Sequence, residues 1–288
     1  MDERTADGYV FRTDLRLRPD PSATPLALSV IAAETYYESL GQNWERAAMI
    51  KARTIAGDKK AGEKFLRHLT PFVWRKNLDF AAIQDIHSIK RQINAHEGDP
   101  DIQTHGHNIK LGQGGIREIE FFAQTQQLIW GGRQPNLRTP TTVRALSDLA
   151  AFGQCEEKTA TELTESYEFL RRVEHRLQMI NDEQSHTLPE ASESYDRLAL
   201  FLGYGSGDAF SEELITHLNR VHLHYSQLFA DAPSLGAEDR GNLVFTGGDP
   251  DPETLVTIAA MGFQIPETID GLIRAWHHGR HRATQSAR

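Results

Sequence analysis

The sequence is short of cysteine, of long apolar runs and of positive charge, and each shortage removes a class of protein. Cys155 is the single cysteine among 288 residues, so an internal disulfide is impossible and a cysteine-rich zinc site is excluded. A reducing, cytoplasmic setting is expected. Every apolar run falls well below the roughly 18 residues that suggest a membrane span, and Met1-Asp2-Glu3-Arg4 opens no signal-peptide core. No membrane partner is expected. Positive charge is outnumbered, 31 basic residues against 40 acidic, and the net charge of -9 argues against a phosphate-backbone-binding surface. Basic and aromatic residues are not interleaved in patches, so a nucleic-acid partner is disfavoured as well. Local basic spots can still hold a single nucleotide or phosphate.

What is present reads as a globular, mainly helical chain. Tyr9 to Arg18 alternates with period two, placing Phe11, Thr13, Leu15 and Leu17 on one strand face and Arg12, Asp14, Arg16 and Arg18 on the other. Pro19 and Pro21 end that strand. Apolar spacing then turns helical: one helix runs up to Gly41, and a second, capped by Asn43, covers Trp44 to Ile55. Further helices are expected over about 59–69, 80–96, 115–130, 140–153, 191–202 and 207–230. The longest covers Glu156 to Asn181, where Leu163, Tyr167, Leu170, Val173, Leu177 and Ile180 make one buried stripe. Asp231 to Asp251 reads as a linker, followed by short helices over Asp251–Gly262 and Pro266–His277.

Two segments carry candidate chemistry. Asp14 between Arg12 and Arg16 sets a carboxylate for a divalent cation beside cations for phosphate; mutually compensating charges on an exposed strand explain it equally well. Asn108 to Glu120 places three glycines before a helix, a loop whose backbone N–H groups can approach an anion, with Lys110 and Arg117 adding positive charge. Its spacing fits neither a Walker loop nor a dinucleotide fingerprint, and a plain helix-start turn is the safer reading from spacing alone. Glu118 and Glu120 can support a metal, orient an arginine or complement the helix dipole. Trp44, Glu45, Arg46, Lys51 and Arg53 read as packing and surface residues. Arg171, Glu174, His175 and Gln178 share a helix face that can bind a partner or bury a hydrogen-bonded network. The scattered histidines, His105, His107 and His277 among them, are expected to face solvent rather than a metal.

Together, Arg12-Thr-Asp-Leu-Arg-Leu-Arg-Pro19 and Asn108-Ile-Lys-Leu-Gly-Gln-Gly-Gly-Ile-Arg-Glu-Ile-Glu-Phe121 resemble the bacterial glutamine synthetase adenylyltransferase and adenylyl-removing family. So do Tyr36 to Arg53, Ile86 to Ile93, Leu170 to Met179 and Asn181 to Pro189, and the likeness spans about residues 8 to 230 in order. The motif variants look most like the N-terminal half of that family, which removes AMP from glutamine synthetase by phosphorolysis. The resemblance implies a partial nucleotidyltransferase-type α/β sheet remnant over 1–25, a helical bundle over 26–230, and a linker with the start of another helical unit over 231–288. It implies magnesium, with ATP, ADP and phosphate as substrates or products, and glutamine synthetase and a PII signalling protein as partners. Asp14 matches the third of three magnesium carboxylates. Arg16, Arg18, Lys110, Gly112, Gly114 and Arg117 are expected at nucleotide or phosphate, with Glu118 and Glu120 in support. The paired acidic motif of the family is not found before the strand, nor a second copy before Arg288. Both catalytic units are therefore expected to be incomplete and the chain alone inactive, the alternative being a noncatalytic helical module that binds glutamine synthetase or a PII-type regulator.

Overall fold

The computed structural model describes residues 24–76, 102–180, 183–230 and 250–278, together with Thr5, Asp14, Leu15, Arg18, Pro19 and Leu243. The described residues are mainly helical, with two compact units, residues 1–75 and 76–288. The strand expected over 9–18 and the helix expected over 80–96 lie mostly or wholly outside them, as does the linker up to Pro250.

In the first unit, Ser29 caps α1 (Val30–Ser39) by accepting from the Ala32 amide. The cap of α2 (Asn43–Met49) is Gln42 rather than Asn43, because Glu45 reaches back to accept from the Gln42 amide at 2.8 Å. That helix also ends six residues before Ile55. Thr54 and Ile55 are β-branched, and Gly57 turns with φ of +75° so that Asp58 can cap α3 (Lys59–His68). A further turn, α4 (Thr70–Val73), was not anticipated from spacing. Tyr37, Phe65 and Phe72 pack their rings together, and the buried Arg46 guanidinium donates to the Val73 carbonyl from Nε and Nη2 at 3.3 and 3.1 Å. Glu45 and Arg46 are both buried and Trp44 half-buried, in keeping with packing roles.

The second unit is built on α5 (Ile116–Trp130), α6 (Thr142–Ala151), α7 (Glu157–Met179), α8 (Ser192–Leu202) and α9 (Gly207–Ala230). Their apolar stripes meet in one core containing Ile116, Ile119, Leu146, Leu163, Leu170, Val173, Leu198, Phe210 and Leu218. Within α7 the expected stripe is buried at Leu163, Leu170, Val173 and Leu177. Tyr167 packs at its edge, and Ile180 is exposed because it is the extended residue that ends the helix. Gln127 donates to the carbonyls of Leu137 and Thr139, tying the short 3-10 turn at Pro135–Leu137 to α5. Asp251, buried at the start of α10 (Pro252–Ala260), accepts from the amide and hydroxyl of Thr254, and α10 pairs with α11 (Pro266–His278).

The glycine-rich segment before α5 is a closed loop. The Asn108 carboxamide oxygen accepts from the amides of Lys110 and Leu111; the Ile109 amide donates to the His186 carbonyl, and the Leu188 amide to that of His107. Those last two bonds make an isolated antiparallel bridge between Asn108 and Thr187. Gly114 sits at φ of +72° directly against α9, where an added Cβ would lie 2.1 Å from the Leu218 carbonyl oxygen. Glycine is required there twice, by dihedral and by space.

Two measurements check this packing. Gly114→Ala is expected to destabilise the chain by about 3 kcal/mol or more, through left-handed strain plus displacement of helix backbone, in a chemical melt. Retention of wild-type stability would mean that the loop is not seated on α9. The second concerns pH. Burial lowers the basicity of His107, His186 and His217 below the ordinary 6.5, so the unfolded chain binds protons first as pH falls. Their contribution to stability is therefore present above 6.5 and is lost as pH drops towards their lower folded values. The Tm is expected to fall between pH 7.5 and pH 5.5, and His217→Gln should flatten that slope.

Candidate functional site

The candidate residues fall in both compact units. In the first, Asp14 is exposed and Arg18, half-buried, donates from Nη1 to the Leu15 carbonyl. Arg16, like Arg12, lies outside the described residues. In the second, Lys110, Gly112, Gly114, Arg117, Glu118 and Glu120 come together around the start of α5.

At a helix start the first amides lack intrahelical partners, and this is what makes such ends attractive to anions. Here they are largely consumed from within. The Gly112 amide donates to Asn108, Gly115 to Gly112, Ile116 to Ile109, Arg117 to Lys110 and Glu118 to Gly115, each to a carbonyl oxygen. The Gly114 amide donates to Glu118 Oε2 at 3.0 Å. Any anion held by this loop must therefore be met by side chains, of which Lys110 is half-buried and Arg117 exposed. The second oxygen of Glu118 lies 3.5 Å from His222 Nδ1 on α9. Tyr225, one turn further along α9, has its hydroxyl acidity suppressed by burial and then by the charge of Glu118, so it stays neutral. Glu118 thus fastens both the loop and α9 to α5, while Glu120 is half-buried.

A cluster of charge lies beside the loop, at Glu174. Its side chain is 2% exposed. Oε1 stands 3.5 Å from Lys110 Nζ and 3.1 Å from His186 Nδ1, and Oε2 accepts from Arg171 Nη1. Arg171 Nη2 is 3.2 Å from His175 Nε2, and Gln178 Nε2 is 3.4 Å from His186 Nδ1. The helix face of Arg171, Glu174, His175 and Gln178 is thus a hydrogen-bonded network, one of the two readings its spacing allowed. Burying a lone carboxylate is costly, and these partners offset that cost. His186 has its basicity lowered by burial first and by Lys110 second, so Glu174 faces a neutral imidazole at neutral pH. The spacing along α7 did not disclose His186, because it returns from beyond the end of the helix. Its only sequence signal is its place in the Asn181 to Pro189 segment.

Several histidines depart from the expected solvent-facing placement. His107 is buried and its Nε2 lies 3.1 Å from the Gln113 carbonyl oxygen; His217 stacks on Phe169 and pairs with the Ser166 hydroxyl. His224 Nε2 is 2.6 Å from Glu162. Each sits where a helix or loop brings a fixed polar partner, which a scan for metal spacing does not register. His105, by contrast, is exposed and stacks on Tyr195.

Among the described residues no group of three or more histidine, cysteine, aspartate or glutamate side chains can hold a metal ion. Asp14 by itself offers one exposed carboxylate, which does not make a magnesium site. No helix of the described residues is long and apolar enough to cross a membrane.

Comparison with known proteins covers nearly every residue. A family profile described as Glutamate-ammonia ligase adenylyltransferase matches residues 1–68, and one described as GlnD PII-uridylyltransferase matches residues 87–229. A bifunctional glutamine synthetase adenylyltransferase/adenylyl-removing enzyme of Agrobacterium fabrum is 61% identical over 286 residues, 99% of this chain and 29% of its own length. Enzymes of the same description from Rhizobium meliloti and Caulobacter vibrioides are 60% and 55% identical over 99% and 100% of the chain, again 29% of theirs. The chain thus spans less than a third of the length of the curated relatives it matches. Identity of this level, sustained from the segment around Asp14 through the Glu174 network, makes the chain a member of the glutamate-ammonia ligase adenylyltransferase family.

Proposed function

We propose that this chain is part of a nucleotidyltransferase that controls glutamine synthetase, and that it belongs to the adenylyl-removing half. The observation that carries the reading is the 61% identity along 99% of the chain to a bifunctional adenylyltransferase/adenylyl-removing enzyme. The motif variants around Asp14 and Lys110 favour the removing half. In that reaction a phosphate oxygen attacks the AMP phosphorus in line, the bond to the tyrosine oxygen of glutamine synthetase breaks, and that oxygen takes up a proton. AMP leaves on the phosphate as ADP. The transition state spreads negative charge over the equatorial oxygens, and positive side chains held in place stabilise it.

Asp14 is one of the carboxylates proposed for magnesium, the others being supplied by the paired acidic motif that the family resemblance calls for. Arg16 and Arg18 are proposed to position phosphates from the same segment. Because the amides of the glycine loop are taken up internally, Lys110 and Arg117 would act on phosphate through side-chain charge, with Gly112 and Gly114 shaping the loop and Glu118 and Glu120 steadying it. Glutamine synthetase is the proposed protein substrate and a PII signalling protein the proposed regulator, both in the cytoplasm. The second reading, a noncatalytic helical module binding either protein, is favoured by the helical make-up of the described residues.

The two readings separate on phosphate-dependent ADP release from adenylylated glutamine synthetase. With the matching Agrobacterium enzyme at full length, Asp14→Asn at the corresponding position is expected to lower that rate by at least about a hundredfold. Unchanged release would take Asp14 out of the site. The 288 residues alone are expected to give no ADP, since one carboxylate does not replace three, and turnover by the chain itself would overturn that expectation.

A further inference from the structure

We propose that Lys110, Arg171 and His175 form an oxyanion site for a phosphate group, with the buried Glu174 as the positioning residue that holds the two cations side by side. The inference deepens the phosphate role proposed for Lys110 and rests on that reading.

The charges around Glu174 do not balance. One buried carboxylate faces two permanent cations, and the imidazole of His186, kept neutral, adds none. A local surplus of positive charge results, in a chain whose net charge is -9. Both cations touch the same carboxylate, one at each oxygen, so their nitrogens are fixed close together. They are also reachable: the Lys110 side chain is 30% exposed and that of Arg171 35%, whereas Glu174 behind them is sealed. Lys110 spends one of its three donors on Glu174, and Arg171 spends Nη1 on Glu174 and Nη2 on His175. The remaining donors belong to side chains that stay partly exposed.

Neighbouring arginines on the same helix are otherwise engaged. Arg172 lies over the Phe169 ring at 5.9 Å, and Arg176 over the Phe201 ring at 4.7 Å. Lys110 and Arg171, by contrast, share a buried acidic anchor. A carboxylate behind a lysine and an arginine restricts both side chains before a ligand arrives, which lowers the entropy lost on binding. A tetrahedral oxyanion suits the result, since arginine presents a planar pair of donors and lysine a point charge. His175, exposed and already in contact with Arg171, can donate from its other ring nitrogen.

The test is calorimetric titration of the full 288-residue chain with inorganic phosphate and, separately, with ADP. Binding of phosphate is expected, weakened at least about tenfold in Lys110→Met and in Arg171→Gln, since each removes a charged donor. His175→Glu, an exposed change that keeps the fold, places a negative charge beside Arg171 and should abolish binding, which keeps the test valid should either of the other variants unfold. Phosphate binding without ADP binding identifies free phosphate as the source, and competition between the two identifies a nucleotide phosphate; both support the site. Absence of phosphate binding, or binding indifferent to all three substitutions, overturns it. That failure is separable from failure of the family reading, which is judged by ADP release and Asp14→Asn in the full-length relative.

Discussion

Contact between the Gly114 turn and the backbone of α9 sets the geometry on which the second unit depends. A left-handed residue with no side chain allows the loop to lie against the Leu218 carbonyl, and only then do the amides of residues 110 to 112 and 114 to 118 find their internal acceptors. Glu118 closes the same contact from both sides, accepting from Gly114 and standing against His222 of α9. Ile109 and Ile116, fully buried at the two ends of the loop, contribute the apolar burial that holds it in place. The loop is therefore part of the core, and Lys110, fixed at its edge, inherits that rigidity.

Rigidity at Lys110 gives the Glu174 network its meaning. A buried carboxylate can be stabilised by one cation and a few hydrogen bonds, so the presence of two cations and a histidine goes beyond what burial alone requires. Three separate pieces of chain supply those partners: the glycine loop, α7 itself, and the segment that returns through His186. The bridge between Asn108 and Thr187 joins the first and third, while α7 lies in the common core. A network assembled this way positions its groups more precisely than side chains on one helix surface can, which suits the phosphate role proposed for Lys110.

Some of this was legible in the sequence, and the dividing line is the range of the interaction. The stripe along α7 could be read because Leu163, Leu170, Val173 and Leu177 repeat with the helix itself. The loop before α5 could be located because three glycines in four positions mark a turn. What the loop does with its amides could not, since their acceptors at Asn108, Ile109 and Lys110 follow from an irregular backbone path. The early end of α2 and the separate turn of α4 depend on capping by Gln42 and Asp58 and on the anchoring of Arg46 to Val73, contests that local propensity leaves undecided. Of the candidate carboxylates, Asp14 stood out through its alternating sequence pattern and its arginines, whereas the burial of Glu174 arises from residues as far away as His186.

Burial of histidine follows from the same economy of contact between α7 and α9. Both helices are long and amphipathic, and beside their apolar seam lie Glu162 against His224, Glu165 against Arg220 and Ser166 against His217. Glu162 has its acidity strengthened chiefly by the His224 hydrogen bond, so the pair favours the ionised carboxylate. A lysine in place of His217 would bring a permanent charge against Phe169, on which the imidazole now stacks at 4.3 Å. Imidazole reconciles the two demands, presenting a flat apolar face to the ring and a nitrogen to the Ser166 hydroxyl. Histidine at position 217 meets these demands as a neutral, planar ring, and protonating it there would place a charge where burial disfavours one.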